Sequence, residues 1–364
     1  MKVLMTGGGT GGHVFPAIAI ANAIKALMPN TEFLFVGANG KMEMDKVPQA
    51  GYKIEGLTIA GLQRSFDISS ILKNLIFPVK LVTSMCKALW IVARFRPDVA
   101  VGTGGYASGP VLKICGWMGI PYFLQEQNSH AGITNKLLGL QSAGVFVAFE
   151  GMEKYFPKDK IFITGNPIRD SIRHIKLTKE EAVKEFGLDS SKKVVFVTGG
   201  SLGARSINQA IAGHIEEIEK AGIQLIWQCG KAYIQTYKKL ETPQIRVFDF
   251  ISNMEAAYSA ADIIVSRSGG TISELAIIGK PTILLPSPNV AEDHQTKNVQ
   301  ALVDKQATIL VKDVDASEVM VAKMIELLND ESLQKSLSAH IAAFAKPDAA
   351  EEIARRIIEK TNKN

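Results

Sequence analysis

Short runs of apolar, largely β-branched residues recur along the chain between segments of helical spacing, and most end in turns of small residues. In the first half KVLMT, EFLFVG, DVAVG, PYFLQ and GVFVA are such runs, and the Ala/Ile-rich stretch from Pro16 to Met28 is one of the helical segments between them. Continuous apolar strands alternating with helices predict successive βα units and a parallel sheet. The scheme occurs twice, before and after a break at Gly165-Asn166-Pro167. KVLMTGGGTGG from Lys2 is matched by KVVFVTGGSLG from Lys193, each a strand running into a glycine turn and a helix. Further on, the segment from Asp98 to Asn128 is echoed from Asp262, and in both copies a Gly-x-Pro (Gly119-Ile120-Pro121, Gly279-Lys280-Pro281) stops a helix and restarts a strand. These patterns predict an α/β fold of two Rossmann-like domains facing a central cleft, with ligands at the carboxyl ends of the strands. The predicted divisions are 1–165, 166–346 and a C-terminal helix over 347–364 that crosses back to the first domain with Ile353, Ile357 and Ile358 on one side.

Composition narrows the class. With 46% hydrophobic and 21% charged residues the 364-residue chain has ample material for two cores, and 31 glycines against 14 prolines point to glycine turns rather than a linker. Cys86, Cys115 and Cys229 lie far apart without CxxC spacing, so neither a disulfide framework nor a zinc site is indicated, which suits a reducing cytosol. The apolar stretch in MKVLMTGGGTGGH is too short for a signal peptide, and no run of 18 apolar residues is free of charge. Any membrane contact is therefore expected to be peripheral. The net charge of +5 favours anionic partners without choosing between phospholipid, diphosphate and nucleic acid.

Gly7, Gly9 and Gly12 satisfy G-x-G-x-x-G after a strand and before a helix, where bare amides and the helix dipole can hold a phosphate. A dinucleotide-binding domain also wants an acid at the end of the next strand, but TEFLFVG ends in Gly37, which argues against a dehydrogenase. In Gly199-Gly200-Ser201-Leu202-Gly203-Ala204 a hydroxyl replaces the middle glycine, so Ser201 and its neighbouring amides suit a diphosphate; a tight turn without a ligand is the structural alternative. RSGGTISE places Glu274 in the first turns of a helix, where it either accepts two ribose hydroxyls or completes a capping box with Thr271.

His13 follows the first glycine turn at a helix start, where the positive end of the dipole disfavours a charged ring, as a general base requires; a structural role is the alternative. Glu126 is a rival base in the loop that carries Asn128, and His130 in the same loop is less favoured. No Gly-x-Ser-x-Gly follows a strand. Asp313-Val-Asp315 matches the Asp-x-Asp of metal-using glycosyltransferases, yet its place before a helix makes capping the cheaper reading. No obligatory metal and no cofactor are predicted, so charge on a leaving diphosphate falls to helix N-termini, Arg169 and lysines.

Between Ile71 and Arg96, Lys73, Lys80, Lys87 and Arg94 recur every seven residues beside Leu72, Ile76, Val79, Leu81, Leu89, Trp90 and Ile91. That arrangement suits a helix resting on an anionic bilayer, with about 4 kcal/mol of attraction at roughly 1 kcal/mol per charge. A core helix with a charged edge is the alternative, and Pro78 is expected to bend or divide it. Cations beside apolar residues rather than stacking aromatics argue against nucleic acid.

Taken in order, GGGTGGHVFPAIAIA, GTGGYASGP, EQNSHAGITNK, TGNPIR, GGSLGAR, FISNMEAAY, SRSGGTISE and PSPNVAEDHQTKNVQAL resemble the MurG family of peptidoglycan N-acetylglucosaminyltransferases over nearly the whole chain. The resemblance implies the GT-B glycosyltransferase fold and transfer of N-acetylglucosamine from UDP-N-acetylglucosamine to the C4 hydroxyl of the muramyl sugar on undecaprenyl diphosphate. The same resemblance implies that the transfer inverts the anomeric carbon and converts lipid I to lipid II at the cytoplasmic face of the bacterial cell membrane. It also implies that the second domain holds the nucleotide, with Ile251 at uracil, Glu274 at ribose, Ser201 and Arg169 at the diphosphate and Gln295 at the donor sugar. Thr10, Gly11, Gly12 and Asn128 would approach from the first domain, which takes the acceptor and faces the membrane, with His13 as the base. SRSGGTISE is one residue shorter between Arg267 and Glu274 than the family pattern, which leaves the amides around Gly270 unassigned to ligand atoms.

Overall fold

The computed structural model describes residues 1–59, 68–288, 290 and 294–362, without the side chains of 68–76 and 294. It divides into two compact units, Met1–Arg169 with Pro347–Asn364, and Asp170–Lys346.

Unit 1 runs β1 (Lys2–Thr6), α1 (Gly11–Leu27), β2 (Glu32–Ala38), α2 (Glu43–Gln49), β3 (Lys53–Leu57), α3 (Ile68–Phe95), β4 (Val99–Gly102), α4 (Ser108–Trp117), β5 (Tyr122–Glu126), α5 (Ile133–Gly139), β6 (Gly144–Val147) and β7 (Ile161–Ile163). Its seven strands pair in parallel in the order β3-β2-β1-β4-β5-β6-β7, so the strand order reverses between β1 and β4. The two-residue period of the strands sorts their side chains between two cores. Val3, Met5, Phe35, Val99 and Val101 face one, while Leu4, Leu34, Val36 and Ala100 face the other.

Unit 2 runs α6 (Asp170–Arg173), α7 (Lys179–Glu185), β8 (Val194–Thr198), α8 (Arg205–Gly213), α9 (Ile215–Lys220), β9 (Gln224–Gln228), α10 (Ile234–Tyr237), β10 (Ile245–Phe248), α11 (Met254–Ala260), β11 (Ile263–Ser266), α12 (Thr271–Ile278), β12 (Thr282–Leu284), α13 (His294–Val303), β13 (Ile309–Leu310), α14 (Ala316–Asn329) and α15 (Glu331–Ala342). Its six strands are also parallel, in the order β10-β9-β8-β11-β12-β13, with the reversal between β8 and β11. Val195, Val197, Leu225 and the buried Trp227 pack one face of this sheet. Gly279 ends α12 at φ +65°, a left-handed conformation that a Cβ opposes.

The last helix, α16 (Ala349–Thr361), belongs to unit 1. Ile353, Ala354 and Ile357 are fully buried in the core that α1 lines, at roughly 1.5–3 kcal/mol for each isoleucine, while Ile358 stays half-buried.

Helix α3 departs from expectation. It is one element of 28 residues that runs through Pro78, so the proline does not divide it. A proline forfeits one backbone donor, and the packing of the helix's C-terminal half holds it in place: Ser84, Ala88, Ile91 and Val92 are buried. Ile91 thus belongs to the core and Leu81 packs against it, whereas Val79, Val82, Leu89 and Trp90 are exposed. Lys87 donates to the Gly56 carbonyl (2.7 Å) and Arg94 pairs with Glu55, both on β3, so two of the four spaced cations are tied to their own sheet. The side chains of Leu72, Lys73 and Ile76 lie outside the described residues.

Candidate active site

In unit 1 the site forms where the strand order reverses. The turns after β1 and β4 pack so closely that the Gly8 amide donates to the Gly104 carbonyl (3.2 Å), and a Cβ on Gly105 would stand 2.4 Å from the Gly8 carbonyl oxygen. His13, half-buried in the first turn of α1, sits beside this junction. Its Nδ1 lies 2.9 Å from the Thr103 carbonyl and 3.0 Å from Gln127 Oε1, while the Thr103 hydroxyl donates to the His13 carbonyl (2.8 Å). A main-chain carbonyl only accepts, so Nδ1 carries the proton and Nε2 of the neutral ring keeps its lone pair. The Gln127 amide group is oriented by its own donation to Thr103 O (2.7 Å). Gln127 was not legible as a functional residue, since only the fold brings β5 beside α1.

Thr10 caps α1 with its carbonyl, which accepts from His13 and Val14, and Gly11 and Gly12 open the helix. Asn128 is one residue beyond Gln127. Arg169 closes unit 1 with its guanidinium 3.9 Å over the Phe15 ring, rather than belonging to the second unit.

Glu126, the rival base, organises its own loop. It is buried; Oε1 accepts from the Asn128 amide (3.1 Å) and Asn128 Nδ2 (3.4 Å), and Oε2 from the Gly132 amide (2.9 Å) and Asn135 Nδ2 (2.8 Å). Its lone pairs are spent inside its own loop. His130 is likewise engaged at both nitrogens, by Lys136 Nζ (2.8 Å) and the Tyr155 hydroxyl (2.5 Å).

The first glycine turn is also partly closed. Glu43, fully buried on α2, accepts from the Gly9 amide (2.9 Å) and the Ala38 amide (3.0 Å), and a Cβ on Gly8 or Gly37 would collide with its side chain. The acid missing from the end of β2 arrives instead from the next helix and takes an amide that a phosphate would need. Glycines at 8 and 37 were the available signal.

In unit 2 the turn Gly199–Ala204 lines a cavity of about 540 Å³ with Arg205, Arg267, Thr271, Gln295 and Asp313. Ser201 is on its wall, and Gln295 is fixed by accepting from the Ser287 amide (2.8 Å). Ile251 and Glu274 are not among its described lining residues. The Ile251 amide donates to Gln228 Oε1 (2.8 Å), so that amide is already engaged. The buried Gln228 side chain also donates to Gly200 O (3.1 Å), tying the glycine turn to the loop that carries Ile251. The Thr271–Glu274 capping box does not form: Gly270 is the N-cap residue of α12, and Glu274 accepts from the Tyr258 hydroxyl (2.8 Å). Asp313 pairs with Arg267 (2.5 Å) and accepts from the Ser206 hydroxyl, and Asp315 makes no side-chain cap, so the Asp-x-Asp sequence serves an ion pair at the cavity wall. Of the PSPNVAEDHQTKNVQAL block, Asn289 and residues 291–293 lie outside the described residues.

Comparison with known proteins gives this geometry its family. Residues 3–147 match the glycosyltransferase family 28 N-terminal domain and residues 194–353 its C-terminal domain. The UDP-N-acetylglucosamine--N-acetylmuramyl-(pentapeptide) pyrophosphoryl-undecaprenol N-acetylglucosamine transferase of Phocaeicola vulgatus is 51% identical, covering 100% of this chain and 97% of its own. That of Cytophaga hutchinsonii is also 51% identical, over 99% and 97%. The crystal structure of Acinetobacter baumannii MurG superposes with a TM-score of 0.74 at 26% identity, covering 98% of this chain and 99% of that one. A UDP-GlcNAc 2-epimerase from Neisseria meningitidis reaches a TM-score of 0.71 at 16% identity over 100% of both chains, a likeness of fold alone. With two parallel α/β sheets and half its residues shared end to end with these transferases, the chain belongs to the MurG family of glycosyltransferases.

Proposed function

We infer that this protein is an inverting glycosyltransferase that moves N-acetylglucosamine from UDP-N-acetylglucosamine to the C4 hydroxyl of the muramyl sugar of lipid I, giving lipid II in peptidoglycan synthesis. Identity to N-acetylglucosamine transferases along the whole chain carries this reading. The tautomer of His13 supplies the chemistry. Nε2 takes the C4 hydroxyl proton as that oxygen attacks the anomeric carbon from the face opposite the diphosphate. The bond from that carbon to the diphosphate oxygen breaks, UDP leaves and the configuration inverts. Thr103 and Gln127 keep the ring proton on Nδ1 throughout the approach.

Unit 2 takes the donor. Uracil is assigned to Ile251, ribose to Glu274, the diphosphate to Ser201 and the N-terminus of α8, and the sugar to Gln295, while Arg169, at the end of unit 1, is also assigned to the diphosphate. Arg205, exposed at the first position of α8, adds a cation at the same turn. Unit 1 takes the acceptor at Thr10, Gly11, Gly12 and Asn128.

No helix among the described residues is long and apolar enough to cross a membrane. The exposed row Val79, Val82, Leu89 and Trp90 on α3 is the surface assigned to the cytoplasmic face of the membrane, with Trp117 of α4 also exposed. With Arg94 paired to Glu55 and Lys87 held at the Gly56 carbonyl, apolar insertion of this row becomes the larger part of the attachment.

UDP release from UDP-N-acetylglucosamine, measured with and without a lipid I analogue and with and without EDTA, tests the reading. Acceptor-dependent, EDTA-resistant release with one N-acetylhexosamine added to the acceptor mass is expected. Release without acceptor would mean epimerase chemistry, and no release in either condition would leave a nucleotide-binding protein.

A further inference from the structure

The Gly165-Asn166-Pro167 break carries a side chain that reaches His13 through two other amides. Asn166 is buried in unit 1, and the Thr164 and Gly165 amides before it donate to the Val147 carbonyl at the end of β6 (3.1 and 3.2 Å), which anchors its main chain. Its Nδ2 donates to the main-chain carbonyl of Gln127 (3.1 Å), and its Oδ1 accepts from Nε2 of Gln125 (2.9 Å), a fully buried residue of β5. Gln125 Oε1 in turn accepts from Gln127 Nε2, and Gln127 Oε1 lies 3.0 Å from His13 Nδ1. Asn135 Nδ2 donates to the Gln125 carbonyl (3.2 Å), so α5 holds the same strand end.

The amides of this chain fit in one sense. A main-chain carbonyl only accepts, so the Gln127 carbonyl requires the amino group of Asn166 and turns its oxygen to Gln125. Gln125 then presents Nε2 to Asn166 and Oε1 to Gln127, and Gln127 presents Nε2 to Gln125 and Oε1 to the ring. Turned over, Gln127 would set its oxygen against three acceptors, the Thr103 carbonyl and both the carbonyl and Oε1 of Gln125. Its amino group would then face Nδ1, which favours the tautomer with the proton on Nε2, and a ring protonated there takes no proton from an incoming hydroxyl. We propose that Asn166 is a positioning residue for the transfer: through Gln125 and the Gln127 carbonyl it keeps Gln127 Oε1 on the Nδ1 proton of His13, and so keeps the Nε2 lone pair available. The proposal rests on the reading of His13 as the base.

The test measures turnover of UDP-N-acetylglucosamine with a lipid I analogue, together with the ring nitrogen NMR signals of His13 in full-length protein carrying isotope-labelled histidine. Signals lost in His13→Ala identify the ring, and spectra are taken on the alkaline plateau of the pH profile. Asn166→Leu keeps the buried volume without the two hydrogen bonds, Asn166→Ala stands in where leucine does not fold, and thermal melts establish folding. In Asn166→Leu kcat is expected to fall about three- to tenfold, the effect of one hydrogen bond, with UDP affinity unchanged and the ring signals moved toward a mixture of tautomers. In a Gln127→Met background the same substitution should cause no further fall. Wild-type kcat in both Asn166 variants beside a collapse in His13→Ala would overturn the proposal and leave the base standing. A fall in kcat with the ring signals of wild type, or one that adds in full to that of Gln127→Met, would also overturn it and reduce Asn166 to packing. Unchanged turnover in His13→Ala would remove the base, and the proposal with it.

Discussion

Replacing Glu126 by glutamine separates two roles that a carboxylate in this loop can have. Four donors converge on its two oxygens at 2.8–3.4 Å, two on each, in a buried pocket. Whichever oxygen becomes an amino group, two N–H donors then face another donor. Hydrogen bonds to a charged group contribute about 1.5–3 kcal/mol each, and the weak 3.4 Å contact contributes least, so Glu126→Gln should destabilise by about 3–5 kcal/mol. At about 2–4 °C per kcal/mol, the melting transition of unit 1 should drop by roughly 6–20 °C. The loop carries Asn128 and, next to it, the Gln127 that contacts His13, so acceptor KM should rise and turnover should fall only partly, with the pH profile keeping its shape. Differential scanning calorimetry and initial rates well below the melting range measure both effects. A variant that melts like wild type while turnover collapses would show Glu126 to be the base and refute the loop-organiser reasoning.

Three further outcomes follow from the same geometry. His13→Ala should retain UDP affinity while turnover falls about 10²–10⁴-fold, and unchanged turnover would remove His13 as the base. Gly104→Ala places a Cβ 2.9 Å from the His13 ring at a backbone φ of +100°, so turnover should fall about 100-fold without loss of UDP binding; wild-type turnover would mean that the ring is not held where it acts. Burial pushes the Lys280 ammonium down from 10.5 to about 8, so between those values the unfolded chain binds more protons than the folded one and stability rises with pH. Urea unfolding from pH 8 to 10.5 should show wild type gaining about 3 kcal/mol on Lys280→Met, and parallel curves would refute the shift.

The doubled Rossmann architecture was legible because strands buried on both faces must be apolar throughout, and because glycine turns recur at the same place in each copy. Motif residues at strand ends, such as His13 and Ser201, were legible for the same reason: a parallel sheet delivers its turns to one edge. Partners contributed by distant elements were not. Glu43, Gln127, Gln228 and Tyr258 look like ordinary helix or strand residues, and each becomes a site component only through a contact across the sheet or between helices. The capping box at Thr271 and the Asp-x-Asp pair failed as local readings because a tertiary partner outcompeted the local one, Tyr258 for Glu274 and Arg267 for Asp313, and β3 likewise holds two of the four α3 cations, Lys87 and Arg94.

By itself the sequence determined the fold class, the division into two similar halves, the family and the short set of turns at which chemistry can occur, since all of these follow from period, glycine spacing and motif order. Only the tertiary structure decided which nitrogen of His13 keeps its lone pair, that Glu126 is spent on its own loop, and which oxygen of Glu274 is already taken. A hydrogen bond assigns protons and lone pairs to particular atoms, and the bonds at His13 and Glu274 join residues 16 to 114 positions apart that only the folded chain brings within about 3 Å.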